Sequence, residues 1–272
     1  MEKRVEELAK LGILLYGSRK DEYAKEIPLL LRGKLPPNWE WVDSSSNSIV
    51  AKRLQPYPVY YKEFLSRSPF EKIKTLLRGS RCQRAMIRGE LVRQRGFHSP
   101  ATYCWGKKAG RYFMVTEGLN AVSLSTYIEK NWISPLSGRE LRAKRDLIEE
   151  LGKEIGNLHK AGICHGDLRT SNVLVEERGQ DIVFHFIDNE RSLFFKKIPP
   201  RLVVKNLVQV NMIFLPGVSR QDRLRFFHAY SETYGSFNSG EKRALMIRVN
   251  KRTMERVARK FARDKGAERG KT

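Results

Sequence analysis

Acidic residues are few beside basic ones: 30 Asp and Glu stand against 52 Lys and Arg, a net charge of +22 over 272 residues. A surface so unbalanced attracts polyanions, whether nucleic acid, an anionic membrane face or a phosphorylated substrate. Charge alone does not choose among them. Cysteine is scarce as well. Cys82, Cys104 and Cys164 show neither disulfide-framework nor metal-site spacing, and they read as reduced thiols in a reducing compartment. No apolar run approaches the roughly 20 residues that span a bilayer. The opening Met1-Glu2-Lys3-Arg4-Val5-Glu6-Glu7 has no apolar signal-peptide core, so a cytoplasmic protein is expected. Internal repeats and low-complexity tracts are missing. With 40% hydrophobic residues and ordinary Gly and Pro content, the chain is an ordered globular protein, large enough for one domain or a bilobal pair.

The stretch that organises the chain is His165-Gly166-Asp167-Leu168-Arg169-Thr170-Ser171-Asn172-Val173-Leu174-Val175. An Asp, an Asn five positions on and then a β-prone apolar run is the catalytic-loop layout of kinase-type phosphotransferases. On such a loop Asp167 accepts the proton of an attacking hydroxyl, and Asn172 turns back to hold a metal on the nucleotide phosphates. Arg169 falls where a cation reaches the transferring phosphoryl group. A turn over 176–180 leads into a return strand, Ile182 to Ile187, ending in Asp188, which is placed to be the second metal ligand. A lone Asp–Asn pair at this spacing reads as an ordinary surface loop. Three polar residues set across a loop and a hairpin are specific.

Upstream, residues 1–39 open with an amphipathic helix carrying Val5, Leu8, Leu11 and Leu15 at helical spacing. Two β runs, Trp39–Val42 and Ile49–Leu54, flank the polar turn Asp43 to Ser48, which would cover phosphates or serve as a plain hairpin loop. Lys62, in the strand Val59-Tyr60-Tyr61-Lys62-Glu63-Phe64, is where kinase-type folds keep the lysine that binds the α- and β-phosphates; Lys52 is its rival. Phe70 to Gln94 is helical and very basic. Its late acidic residue, Glu90, is the candidate partner for Lys62, against the plainer role of a surface charge pairing within its own helix. Glu117-Gly118-Leu119 resembles a hinge, where the backbone at Glu117 and Leu119 would bond an adenine edge. A long helix over Arg139 to Lys160 would pack under the catalytic loop, with His159 as a structural hydrogen-bonding residue. Helices are also expected over 201–215, 219–234 and 240–263. Residues 241–272 carry 12 Lys and Arg against 4 Asp and Glu.

Lys62, Glu90, the run His165 to Asn172 and Phe186-Ile187-Asp188-Asn189-Glu190-Arg191 together resemble the lipopolysaccharide kinases, which phosphorylate Kdo or heptose of the lipopolysaccharide inner core. The resemblance covers roughly residues 40–235 and extends to Asp222-Arg223-Leu224-Arg225-Phe226. It implies an α+β, bilobal protein-kinase-like fold with a helical extension over 1–39, a β-rich N-lobe over 40–118 and a helical C-lobe over 119–272. It also implies ATP and Mg²⁺ as cofactors, Asp167 as base, Asn172 and Asp188 on the metal, and an anionic glycolipid acceptor at the cytoplasmic face of the inner membrane. Three departures bear on the acceptor. Gly166 stands where a regulated protein kinase has Arg, no Gly follows Asp188 two residues on, and no Ala-Pro-Glu lies downstream. All three favour a small-molecule or glycolipid hydroxyl. The usual Gly-rich loop is also missing. A small atypical protein kinase of the tRNA-modification type, or an antibiotic phosphotransferase, is the alternative enzyme. A basic kinase-fold RNA- or membrane-binding module is the non-enzyme alternative. No aromatic-rich signature accompanies the basic residues, so nucleic acid is not expected as a partner.

Overall fold

The computed structural model describes residues 2–44, 46–65, 75, 77–133, 135–179, 181–213, 217–235 and 237–269. The chain divides into two units. Unit 1 comprises Met1–Asn120 with Asp188–Glu190, and unit 2 comprises Ala121–Ile187 with Arg191–Thr272.

Unit 1 is built on one antiparallel six-stranded sheet, ordered β1-β5-β6-β4-β3-β2. Its strands are β1 (Ile13–Tyr16), β2 (Trp39–Val42), β3 (Ser48–Arg53), β4 (Val59–Phe64), β5 (Thr102–Lys108) and β6 (Arg111–Glu117). Strand alternation sends Tyr61, Phe113 and Val115 to one face and Lys62 and Met114 to the other. The first face is covered from the N-terminal region. Leu8, Ile13, Leu15, Tyr23, Ile27 and Leu30 join Ala51, Tyr61, Cys104, Phe113 and Val115 in one buried cluster. Helices α1 (Glu2–Lys10), α2 (Lys20–Tyr23) and α3 (Ile27–Leu30) carry part of it.

The helical spacing read through Leu15 stops early. Gly12, at φ +72°, ends α1, and Ile13-Leu14-Leu15-Tyr16 then pairs with β5, from Ile13 opposite Lys108 to Tyr16 opposite Trp105. Ile13 and Leu15 turn inward while Leu14 and Tyr16 stay exposed, which is the period of a strand. The two β runs around the polar turn form the expected hairpin, with Trp39 opposite Arg53 and Val42 opposite Val50. Helix α4 (Arg81–Gln94) lies on the Lys62 face, where Cys82 packs with Phe64 and Met114. It begins at a capping box: the Ser80 hydroxyl accepts the Gln83 N–H, and the Gln83 side chain accepts the Ser80 N–H. Residues 70–74 and 76 of the longer expected helix lie outside the described residues.

Unit 2 is mainly helical, with α5 (Leu124–Asn131), α6 (Gly138–Lys160), α7 (Pro200–Val210), α8 (Arg220–Tyr234) and α9 (Ser239–Arg269). A small sheet sets β7 (Val122–Ser123) beside β9 (Val173–Arg178) and β10 (Asp181–Phe186), and β8 (Ile163–Cys164) pairs with β11 (Leu193–Phe194). The apolar face of α6, Leu147, Leu151, Ile155 and Leu158, is buried. Gly152 and Gly156 interrupt that face. A Cβ added to Gly152 would lie 2.5 Å from the Phe226 carbonyl oxygen, and one on Gly156 would lie 2.8 Å from the Thr233 Cβ. These two glycines let α8 approach α6 backbone to backbone.

Candidate active site

Lys62, Glu90, Glu117, Leu119 and Asp188 belong to unit 1, and Asp167, Arg169 and Asn172 to unit 2. In unit 1 the Nζ of Lys62 meets the Asp188 carboxylate, although 126 positions separate them in the chain. Lys52 pairs instead with Glu40, at 2.9 Å. Asp188 itself has φ +60°, a left-handed conformation that is uncommon for a residue with a side chain and that clusters at functional sites.

The expected pairing of Lys62 with Glu90 is corrected by this geometry. Glu90 is half exposed and bonds Arg93 at 3.3 Å and Gln94 at 3.4 Å, both on its own helix. The residues that α4 presents to the 188–190 segment are arginines. Arg81 donates to the Glu190 carboxylate at 2.9 Å, and Arg88 donates to the Glu190 carbonyl. Over the stretch expected to be a hinge, the Glu117 side chain accepts the Ala101 N–H at 3.1 Å, and the Gly118 N–H donates to the Pro58 carbonyl at 2.8 Å. Leu119 is half-buried. In the polar turn, the Ser44 hydroxyl donates to the Ser48 carbonyl at 2.8 Å, and Ser45 lies outside the described residues.

In unit 2 the catalytic-loop residues come together. Arg169 grips the Asp167 carboxylate with Nε and Nη2, each at 2.9 Å, the bidentate geometry that suits guanidinium and carboxylate. The Asn172 Nδ2 donates to the Asp167 carbonyl at 2.9 Å, a bond in which the amide oxygen takes no part. The Asn172 carbonyl accepts the Ile187 N–H at 3.0 Å, so the loop is pinned to the strand end that precedes Asp188. Gly166 has φ +76°, and a Cβ there would lie 2.3 Å from the Arg191 carbonyl oxygen. Both the dihedral and the space require glycine, which gives the His-Gly-Asp sequence a physical reason. His165 Nε2 donates to the Ile187 carbonyl at 3.0 Å.

Sequence reasoning missed what holds this loop from below. Asn206 Oδ1, on α7, accepts the His165 N–H at 3.1 Å, and Gln209 Oε1 accepts the Leu168 N–H at 3.1 Å. Gln209 Nε2 donates to the Gly166 carbonyl at 3.1 Å, and Asn206 Nδ2 donates to Gln209 Oε1 at 3.0 Å. His159 closes the network, with Nε2 on Asn206 Oδ1 at 3.1 Å and Nδ1 on the Tyr230 hydroxyl at 2.9 Å. Burial pushes the His159 imidazole down to about 4, against the smaller opposing effect of Asn206, so the ring is neutral near pH 7. Nε2–H then donates to Asn206, and Nδ1 accepts from Tyr230. The structural role read for His159 is the one it has. The available signal for α7 was two amides three residues apart among Val and Leu, a polar pair on an otherwise apolar face.

Taken singly, Asp188 of unit 1 carries a carboxylate and Asn172 of unit 2 an amide oxygen, both ligand types that Mg²⁺ takes alongside substrate phosphates. Among the described residues no group of three or more His, Cys, Asp or Glu side chains gathers to hold a metal alone.

An Asp–Asn loop braced from a helix, a strand ending in a left-handed Asp, and a strand lysine on that Asp define a kinase. The model of the lipopolysaccharide kinase (Kdo/WaaP) family matches residues 99–230, just under half of the chain, and the resemblance read from the motifs is thereby borne out. The fold is that of a solved WaaP in complex with acyl carrier protein, with 18% identity, a TM-score of 0.60, and coverage of 89% of this chain and 98% of that one. Curated relatives are of a different kind. The EKC/KEOPS complex subunit BUD32 of Gibberella zeae is 35% identical over 85 residues, covering 31% of this chain and 32% of its own. A probable bifunctional tRNA threonylcarbamoyladenosine biosynthesis protein of Methanothermobacter thermautotrophicus is 30% identical over 128 residues, 47% of this chain and 21% of its own. The chain spans about a third of the length of the first curated relatives it matches.

Proposed function

We propose that the protein transfers the γ-phosphoryl group of ATP to a sugar hydroxyl of the lipopolysaccharide inner core, Kdo or heptose. The observation that carries this reading is the lipopolysaccharide-kinase family match over 99–230, which contains both the Asp167–Asn172 loop and Asp188. Asp167 orients the acceptor hydroxyl and takes its proton. Asp188 and Asn172 hold Mg²⁺, which when bound neutralises charge on the nucleotide phosphates. Lys62 binds the α- and β-phosphates, and its meeting with Asp188 favours it over Lys52. Arg169, beside Asp167, offers a cation to the transferring group or to an acceptor phosphate. Backbone groups at Glu117 and Leu119 take the adenine edge. Such transfer depends on positioning and charge neutralisation and needs no covalent intermediate.

The substrate and the +22 charge agree, since an anionic glycolipid lies in a surface that attracts basic proteins. In this reading the contact is peripheral, at the cytoplasmic face; among the described residues no helix is long and apolar enough to cross a membrane. Acyl carrier protein, present in the similar WaaP structure, is the protein partner to test. Unit 2 has an apolar cavity of about 730 Å³ lined by Ile128, Trp132, Leu224, Phe227 and Met254, of a size to take an acyl chain. An acyl-loaded carrier should raise the unfolding temperature more than the unloaded carrier; equal rises take the acyl chain out of the cavity, and no rise with either removes the partner.

The BUD32 relatives support a second reading, an atypical protein kinase of the tRNA-modification type. One assay separates the two. The purified protein is incubated with radiolabelled ATP, Mg²⁺ and lipopolysaccharide core extract, beside Asp167→Ala. Label entering the glycolipid with the intact protein alone is the expected result. Label going only to protein moves the second reading to first place, and label staying in ATP overturns the kinase assignment for these acceptors.

A further inference from the structure

The segment Asp188-Asn189-Glu190 returns from unit 2 to cluster with unit 1, and unit 1 holds it at several named points. Lys62 meets the Asp188 carboxylate. Asn189 Nδ2 donates to the Ser99 hydroxyl at 3.0 Å. Arg81 and Arg88 both reach Glu190, one at the carboxylate and one at the carbonyl. The two arginines are seven residues apart, so they share one face of α4.

The Arg81–Glu190 pair is buried, with side chains 5% and 9% exposed. Arg81 is itself fixed, since its Nη1 donates to the carbonyls of Asn47 at 3.0 Å and Leu65 at 3.2 Å. Those two residues flank the facing ends of β3 and β4, so the guanidinium ties the sheet, the helix and the segment together. Its plane also lies over Phe64, 5.2 Å from the ring centroid. A buried charge pair is a poor way to add stability, because desolvation consumes most of the attraction; its better attested use is to specify geometry. The geometry being specified is two residues away. Asp188 is left-handed, and such a conformation persists where its surroundings over-determine it.

We infer that Arg81 and Arg88 are positioning residues for the metal-binding carboxylate: by clamping Glu190 they hold Asp188 in its left-handed conformation against Lys62. The inference rests on the reading of Asp188 as a metal ligand. Helix α4 thus acts on the metal site from behind, through guanidinium groups on the residue after next. Among the described contacts it supplies no carboxylate to Lys62, and this explains why Glu90 is free to pair along its own helix. The residue two after Asp188 is Glu rather than Gly because it is the handle of the clamp.

The test is Mn²⁺ binding in the presence of ADP, followed by electron paramagnetic resonance on the full chain, with unfolding temperature measured in parallel. Outer-shell partners of metal ligands typically contribute 10- to 100-fold in metal affinity. Glu190→Gln and Arg81→Lys should each weaken Mn²⁺ binding about tenfold or more. Arg88→Gln, which removes the carbonyl contact and one cation near Glu190 but leaves the Arg81–Glu190 pair, should give a smaller weakening in the same direction and covers the case in which the buried variants do not fold. Folded variants that bind Mn²⁺ as tightly as the wild type overturn the clamp while leaving Asp188 its role. A wild-type protein that takes up no Mn²⁺ with ADP overturns the reading of Asp188, and the inference falls with it.

Discussion

The network under the catalytic loop hangs on the protonation of one side chain. His159 is fully buried, and its pKa falls from 6.5 to about 4. The unfolded chain therefore gains a proton as pH drops through 6.5, while the folded chain resists until about 4. Stability from this group is intact above the unfolded value and is lost progressively between the two, by roughly 3 kcal/mol in all. Unfolding free energy measured by denaturant titration should decline over that window, and His159→Gln should flatten the decline. An unchanged slope in the variant would assign it to other groups. Gly166 is a second single-residue constraint. Gly166→Ala places a side chain in a left-handed conformation, costing about 1–2 kcal/mol before the contact with the Arg191 carbonyl is counted. A lower unfolding temperature, with turnover reduced further than stability alone explains, is the expected result; wild-type behaviour would refute the constraint.

Between elements, the contact of α6 with α8 turns on Gly152 and Gly156. Helix propensity by itself favours alanine over glycine by about 1 kcal/mol inside a helix. The 2.5 Å approach of a Gly152 Cβ to the Phe226 carbonyl reverses that sign, because backbone cannot move aside as a side-chain tip can. Gly152→Ala should therefore destabilise the protein, by about 1–3 kcal/mol for an overpacked contact. Chemical denaturation decides it, and a stabilised variant would mean that the helices are not held this close. Most elements were legible from pattern: the β-hairpin over 39–53, the strand bearing Lys62, the long helix under the loop and the hairpin that ends at Asp188. β1 was not. Its four residues share their apolar character with the preceding helix, and only pairing with β5 separates the two periods.

At the scale of the whole molecule, charge is the property with the longest reach. Helix α9 exposes Ile247 and Met254 seven residues apart, with Arg243, Arg248, Lys251 and Arg252 exposed around them. An apolar pair ringed by cations suits an anionic lipid surface, where each Lys or Arg contributes about 1 kcal/mol. Co-sedimentation with vesicles containing phosphatidylglycerol should retain the protein, and neutral phosphatidylcholine vesicles should not. Changing Arg243 and Lys251 together to Glu should weaken retention at least about tenfold by the same per-charge contribution. Retention that ignores lipid charge would remove α9 from this role.

The sequence by itself determined the class of the protein. The Asp–Asn spacing, the strand ending in Asp188 and the lysine among β-formers are local patterns, set by neighbours a few residues apart. The tertiary structure decided which groups serve those residues. Lys62 finds Asp188 across 126 positions, Arg81 finds Glu190 across 109, and Asn206 and Gln209 each reach the catalytic loop across 41. Glu90 was a sound candidate by charge and by element. It was displaced because the face of α4 that meets the 188–190 segment is set by how the helix packs on Phe64 and Met114. No spacing rule carries that rotation. It follows from burying Cys82 against the sheet, which leaves arginines on the side where a carboxylate was expected.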